Sequence, residues 1–498
     1  MSDSITIPGY SANTRVPGIR FALDNSKANS GTAGRRVLIV GQMLANGSAT
    51  AGAASISAGP SDAVKKYGAG SQCALMVTRY MLLDSQGEVW VLPLADDAAS
   101  VAAKGSLTVS GTAAASGTLA LYFGDVLVPV LVTSGDTAAA VAANIVLAAS
   151  GITGLAVSLA VDGTTAAKVN VTALNKGAAG NDILLGLNVL GTAAGQATPS
   201  GITVTLTQMT GGTQNPTGLS SALSGLGNRV YDLFIHPYTD AASLTAFRQA
   251  FDNLTGRWSP DEQIYGHGIT AYRGTYGQAT AFGLTQNDPH TTIMGISDSP
   301  SSPMDWAAEI GARAAMSMRT NPALPITGVA GVLNVLPPTD AGRFIASQRN
   351  SLLWDGMSTH TVDDSGTVAI ERLITTYQTN AGGQPDDSYL GIETLLTAEV
   401  CLQDMQAYLS SQFGGYGLVA DGTTIGAGAK FTTAQLIGKA VVARYRWQAT
   451  QYWVQNADIF ARNLVAQNAG GGTVKLLMPY DFANQLWQIA GNCQFVKS

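Results

Sequence analysis

Asp232, His236 and His267, with any of the chain's many serines, are the residue types of an acyl-transfer triad. Such a triad needs a nucleophile, a base, an orienting acid and an oxyanion hole in register. The chain has neither a GxSxG elbow nor the GTS[MA] pattern that carries the nucleophile in subtilisins. His236 stands before Pro237 at the end of an apolar run, and His267 lies between two glycines, so both are assigned to the scaffold. His290 and His360 have no histidine at i+4, which argues against a helical metal motif. The glycines at Gly414, Gly415 and Gly417 lack the GxxxxGK[ST] pattern and a preceding strand, so they read as a loop. Asp363 and Asp364 share a turn and read as solvated carboxylates. The expectation is no catalytic residue, no cofactor site and no metal site; a degenerate serine hydrolase is the enzymatic alternative.

One charge pattern points to a partner instead of a reaction. Lys430, Lys439, Arg444 and Arg446 fall in a stretch, 430–456, that contains no Asp or Glu. Lys439 and Arg446 are seven residues apart and share a helical face. In a chain of net charge −6, a positive helix fits an acidic partner surface. No basic run occurs, so the electrostatic footprint of a nucleic-acid binder is absent. Charged residues make up only 12% of the chain, about half the usual share. A surface so poor in charge suits a protein buried against copies of itself, because Lys and Glu are depleted at interface cores. Cys73, Cys401 and Cys493 are far apart and form no CxxC, which points to a reducing cytoplasm without disulfides or zinc. Residues 1–20 lack the apolar core of a signal peptide, and no window reaches the roughly 18–20 apolar residues of a membrane span.

The elements that would position these residues are legible as hydrophobic runs. Residues 37–40 and 88–93 are apolar strands of the kind buried on both faces, with helices predicted at 61–67, capped by Ser61, and at 74–83. Strand, helix, strand is the grammar of a parallel sheet. Composition changes at Asp96. From there to Pro216 there is no Arg, Glu, His or Trp, and only nine charged residues. Short β runs recur at 107–109, 118–123, 126–132, 156–161, 168–173 and 202–207. One helix, 137–149, is predicted with Asp136 as its cap. The first grammar resumes with strands at 229–237, 264–269 and 290–296 and helices at 243–254 and 304–317. Two long helices follow, 388–413 and 431–456, then a hairpin from 464–468 and 473–478. Ile19, Phe21 and Leu23 near one end, and Leu486, Ile489 and Phe495 near the other, read as lone half-buried strands that need a sheet edge to join.

The stretch 350–389 reads NSLLWDGMSTHTVDDSGTVAIERLITTYQTNAGGQPDDSY. Turn signals at 363–366 and 381–385 bracket a predicted strand, 367–379, with Glu371 and Arg372 at its centre. The pattern N-x-LL…DDxGTVxIERxITTYQTN…GxPDxSY resembles the C-terminal part of contractile-tail sheath proteins of Mu-like bacteriophages. Gly366, Glu371, Arg372, Tyr377, Gln378, Asn380, Pro385 and Tyr389 are among the residues that carry it. TRVPGIRFALDNSKANSGTAGRRVLIVG, GAGSQCALMVTRYMLLDSQGEVWVLPL and LLMPYDFANQLWQIAGNCQF resemble the same family. No signature falls in 96–215.

The α/β grammar of 35–95 resumes at 216–345, and the composition break with its recurring β runs reads as an inserted, mostly β domain at 96–215, an α/β-plus-β fold; the resemblance implies that the discontinuous α/β part is a three-layer, subtilisin-like sheath domain. A C-terminal α+β domain at 346–483 and arms at 1–34 and 484–498 complete it. It also implies a non-enzymatic subunit that polymerises with itself as a helical sleeve around a tail tube protein, meets baseplate and tail terminator proteins, and contracts to drive the tube through a host envelope. The implied location is the virion, after assembly in the host cytoplasm. A sheath from a phage-derived bacteriocin or another contractile injection device is the structural alternative. Ile19, Phe21, Leu23, Leu486, Ile489 and Phe495 would belong to arms that reach neighbouring subunits, and Lys430, Lys439, Arg444 and Arg446 would face the tube.

Overall fold

Strand Arg36–Gln42 sits at the centre because its apolar run serves two faces at once. Val37 and Ile39 enter a core with helices Gln72–Leu83 and Pro303–Thr320. Leu38 and Val40 enter a second core with helices Leu219–Ser224 and Ala241–Ala250. The structure, a computed structural model, describes residues 35–495; the predicted arm residues Ile19, Phe21 and Leu23 lie outside that range. Arg36–Gln42 pairs in parallel with Glu88–Leu94 on one side and Leu233–Ile235 on the other. His267–Arg273 and Thr291–Ile296 extend the sheet in parallel, and Ser55–Ile56 closes the far edge antiparallel. Alternate residues of a strand point to opposite faces, so a sheet covered on both sides needs continuous apolar runs.

Residues between Glu88–Leu94 and Leu219–Ser224 build two further sheets. One has four antiparallel strands, in the order Ile202–Thr210, Lys104–Gly111, Lys168–Ala173, Val157–Val161. The other joins Val126–Val132, Gly117–Phe123 and Leu185–Leu187. Helix Ala138–Ser150 packs with both, and the apolar residues share a core of their own. Beyond the α/β part, Val332–Leu333, Val368–Arg372 and Thr359–Val362 form a small antiparallel sheet. Helices Ile392–Phe413 and Ala434–Thr450 then pack around Cys401, Met405, Val441 and Tyr445. Hairpin Val465–Gly470 and Thr473–Leu477 follows.

Several predicted boundaries move for local reasons. The first helix begins at Pro60 with Gly59 as N-cap at φ 142°, so Ser61 is inside it and caps nothing. Thr137, not Asp136, caps helix Ala138–Ser150, its hydroxyl accepting the Ala140 N–H; the Asp136 carboxylate is taken by the Thr133 N–H. The predicted strand 367–379 stops at Arg372, because Ile374 and Thr375 find single bridges to Gly391 and Thr292, which belong to different elements. The predicted strand near the C-terminus is not seen within 486–495, where no sheet edge among the described residues pairs with it. Helices Tyr276–Gly283 and Ala346–Trp354 were not predicted.

Candidate assembly surfaces

The triad candidates are not brought together. The Asp232 carboxylate accepts from the Arg35 guanidinium at 3.1 Å, the Arg36 N–H at 2.7 Å and the Gln403 amide at 3.3 Å. His236 stacks on Phe247 at 3.9 Å, and burial pushes its pKa down to about 3. His267 Nε2 meets Thr292 Oγ1 at 2.8 Å, and burial holds it well below the usual range. His290 pairs with Asn253 at 2.8 Å, stacks on Trp258 and is pushed down to about 3 by burial. His360 lies against Trp306 and is lowered by burial to about 4. Each imidazole is held neutral inside the scaffold. Asp363 accepts the N–H groups of Ser365 and Thr367 in its own turn. No group of three or more His, Cys, Asp or Glu that could hold a metal ion occurs among the described residues.

Four of the motif residues, Arg372, Tyr377, Gln378 and Pro385, in contrast share one groove. Gly366 takes φ 83° in the turn before strand Val368–Arg372, a conformation that favours glycine. Glu371 receives Arg349 Nε and Thr359 Oγ1, both at 2.8 Å. The Arg372 guanidinium lies over the Trp487 ring at 4.9 Å. Tyr377 donates its hydroxyl to Asp386 at 2.8 Å and meets the Tyr389 ring edge-on at 5.1 Å. Gln378 donates its amide to the carbonyls of Gly283 and Gln286 at 3.0 and 2.9 Å. Asn380 Oδ1 accepts the N–H groups of Gly382 and Gln384, and Pro385 bridges to Thr379. Arg372, Tyr377, Gln378 and Pro385 line one open groove of about 770 Å³ together with Trp354, which is 79% exposed. Sequence reasoning missed Trp354 and Asn287; the latter's Oδ1 accepts from the N–H groups of Gln378 and Thr379.

The four basic candidates split. Lys430, Lys439 and Arg446 are exposed, and Lys439 and Arg446 line one depression of about 740 Å³ with Asp421. Arg444 turns the other way: its guanidinium is bound by Asp404 of the preceding long helix, and it lies 3.8 Å from the Trp447 ring. Arg446 pairs with Asp458 at 3.1 Å, an exposed contact of little energetic weight. The helix that carries no acid in sequence therefore meets acids in space.

The C-terminal segment is tied to the body by Ala483 N–H to the Trp453 carbonyl and the Gln485 amide to the Ala323 carbonyl, after which Trp487 lies under Arg372 and Gln488 lines the motif groove. Between and beyond these contacts, Leu486, Ile489 and Phe495 are 70%, 85% and 89% exposed. Hairpin Val465–Gly470 with Thr473–Leu477 is a sheet of only two strands, and both of its outer edges lack a strand among the described residues.

The model for the phage tail sheath protein central domain matches residues 212–376. Over 497 residues the chain is 33% identical to the Mu-like prophage FluMu tail sheath protein of Haemophilus influenzae, covering 99% of this chain and 100% of that protein. The crystal structure of a sheath tail protein from Listeria innocua matches with a TM-score of 0.47 at 14% identity, covering 90% of this chain and 92% of that one. On the full-length identity, the chain belongs to the Mu-like family of phage tail sheath proteins, the structural subunits of contractile tails.

Proposed function

We propose that this subunit polymerises as a helical sleeve around a tail tube, and that its terminal segments are the links between subunits. The observation that carries the reading is the pairing deficit at the C-terminal end: exposed Leu486, Ile489 and Phe495 on a segment without strand pairing, and a hairpin whose two edges are open among the described residues. Extended backbone leaves N–H and C=O groups for another sheet, and a two-stranded hairpin is marginal alone. Strand addition from neighbouring subunits satisfies both. Ile19, Phe21 and Leu23 supply the second arm in this reading. The exposed pair Lys439 and Arg446, with Lys430, faces the tube, while Arg444 positions its helix through Asp404. The two-sided six-stranded sheet supports a subtilisin-like layering of 35–95 with 216–345, and the separate core within 96–215 supports an inserted domain on the outside of the sleeve. Assembly takes place in the host cytoplasm, with baseplate and tail terminator proteins at the ends, and the stored free energy of the extended lattice lies in subunit contacts.

The test is removal of 484–498. The truncated protein is expected to keep the circular dichroism of the parent and to remain monomeric in sedimentation. Negative-stain images of the parent are expected to show sleeves or rings, and those of the truncated form none. Normal sleeves from the truncated protein would end the linked-arm mechanism.

A further inference from the structure

The sheets between 104 and 210 meet the body across a cleft of about 630 Å³, with Val64, Leu75 and Met304 on one side and Phe123, Val126 and Ile183 on the other. At the root of this module the attachment is a web of neutral and singly charged hydrogen bonds. Asn175 Oδ1 accepts the Gln72 N–H at 3.0 Å, its amide donates to the Met43 carbonyl at 3.1 Å, Gln42 donates to the Lys176 carbonyl at 2.7 Å, and the Lys176 N–H donates to Asp96 at 3.0 Å. Charged contacts also join module and body: Asp182 lies 3.9 Å from the Arg273 guanidinium, at the outer limit of an ion pair, and a closer contact spans the cleft. Asp125 sits in the turn between strands Gly117–Phe123 and Val126–Val132, and its carboxylate binds the Arg79 guanidinium of helix Gln72–Leu83. It also accepts the Ser301 hydroxyl at 2.9 Å.

Arg79 is contested. Asp305 and Glu309, both on helix Pro303–Thr320, approach the same guanidinium at 3.5 Å each. Three carboxylates thus draw on one cation. Two of them belong to the body, so Arg79 keeps partners when Asp125 departs. Ser301 likewise keeps the Leu336 N–H, which donates to its hydroxyl at 2.8 Å. Asp125, once out of the cleft, is solvated by water. Neither side is left with a buried unpaired charge, the usual reason that breaking a buried pair unfolds a protein.

We propose that residues 104–210 form a hinged module held shut by a removable latch, Asp125 on Arg79 and Ser301, and that opening the latch lets the module pivot about its two chain crossings with both cores intact. The crossings run side by side: Val101 bridges Thr213, and Ser100 donates to the Gln214 carbonyl at 2.9 Å. Side-by-side crossings make one hinge. The device is a property of the single subunit and does not depend on sleeve formation.

The experiment measures the module's position directly. Cys493→Ser leaves two native cysteines, Cys73 and Cys401, both buried. Spin labels at Gln86→Cys on the body and Leu147→Cys on the module, both exposed, report the separation by double electron–electron resonance. The full-length protein is expected to give one narrow distance. Asp125→Asn keeps the shape and the Ser301 acceptor but removes the charge; Asp125→Ala removes both. In each, a second, longer population is expected to grow by roughly tenfold or more, in keeping with the loss of a partly buried ion pair, while circular dichroism and the cooperative melting of both cores persist. An unchanged narrow distance in both variants overturns the latch. Unfolding of the module in Asp125→Asn overturns it as well, because the pair would then be part of a core and not a removable contact.

Discussion

At the scale of single residues, the buried ionisable groups divide into those whose role is packing and those that make a pH signature. His236, His290 and His360 are lowered by burial to about 3, 3 and 4, so their contribution to stability is complete above an ordinary value of 6.5 and is lost as pH falls below it. Glu309 has the opposite sign. Burial first, then the Asp305 and Asp125 carboxylates, raise it from 4.5 to about 7 against the pull of the Asn334 N–H and Arg79. The folded state therefore holds a proton that the unfolded chain releases above about 4.5, and stability falls as pH rises from there to about 7. Glu309→Gln removes this term while keeping an acceptor for the Asn334 N–H. The difference in melting temperature, variant minus parent, is expected to become more positive between pH 5 and pH 8. The histidine terms cancel in that difference. A flat difference across this range would mean that Glu309 is ionised throughout. The sequence shows Asp305 four residues before Glu309 on one helix, but not the other partners, Arg79 and Asp125, which come from 230 and 184 positions away.

At the scale of elements, what was legible followed the hydrophobic runs. RVLIVGQ and EVWVLPL stand out because a strand covered on both faces must be apolar throughout, and both form the predicted strands. Helix Ala346–Trp354 left no such trace: Leu352 is its only buried residue. The Glu371-Arg372 strand was visible, but not its end, since Ile374 and Thr375 bond to segments far along the chain. The gathering of Tyr377, Gln378 and Pro385 into one groove was likewise carried by a motif whose spacing says nothing of the distant Gly283 and Gln286 carbonyls. The basic helix shows the same limit, as Asp404 and Asp458 flank it only after folding. Lys439 and Arg446 remain exposed on one side of helix Ala434–Thr450, and they carry the tube-facing prediction. Lys439→Glu with Arg446→Glu is expected to weaken co-sedimentation with the tube protein, most at low salt, because exposed charges are screened beyond roughly 10 Å at 0.1 M. The fold is expected to persist, since the one ion pair lost, with Asp458, is exposed. Unchanged association across a salt series would remove this face from the tube contact.

At the scale of the whole molecule, the question is whether the module at 104–210 belongs to the working lattice or rides on it. Its core is built from its own residues, Leu107, Leu121, Val130, Ile145, Val171 and Val204 among them, and none of these belongs to the cores of the α/β part. Its entry and exit lie together: Thr217 donates to the Asp97 carboxylate at 2.5 Å, and Val101 bridges Thr213. A short bridge can therefore replace it without stretching strand Glu88–Leu94 or helix Leu219–Ser224. Deleting 98–214 uncovers the Gln72 N–H and the Met43 carbonyl that Asn175 had held, but both then face water, so the cost stays well below the ~1–3 kcal/mol of a buried unsatisfied group. Arg79 loses Asp125 and keeps Asp305 and Glu309, and Arg273 loses Asp182 and keeps the Ser299 and Ser301 carbonyls. The deletion protein, closed with a short Gly/Ser linker, is expected to fold, to stay in solution and to form sleeves seen by negative-stain microscopy, because hairpin Val465–Gly470 with Thr473–Leu477 and the segment after Ala483 are untouched. A folded deletion protein that builds no sleeve would place the module's surface in the lattice, and the latch at Asp125 would then set the geometry of subunit contacts instead of the posture of an outer appendage.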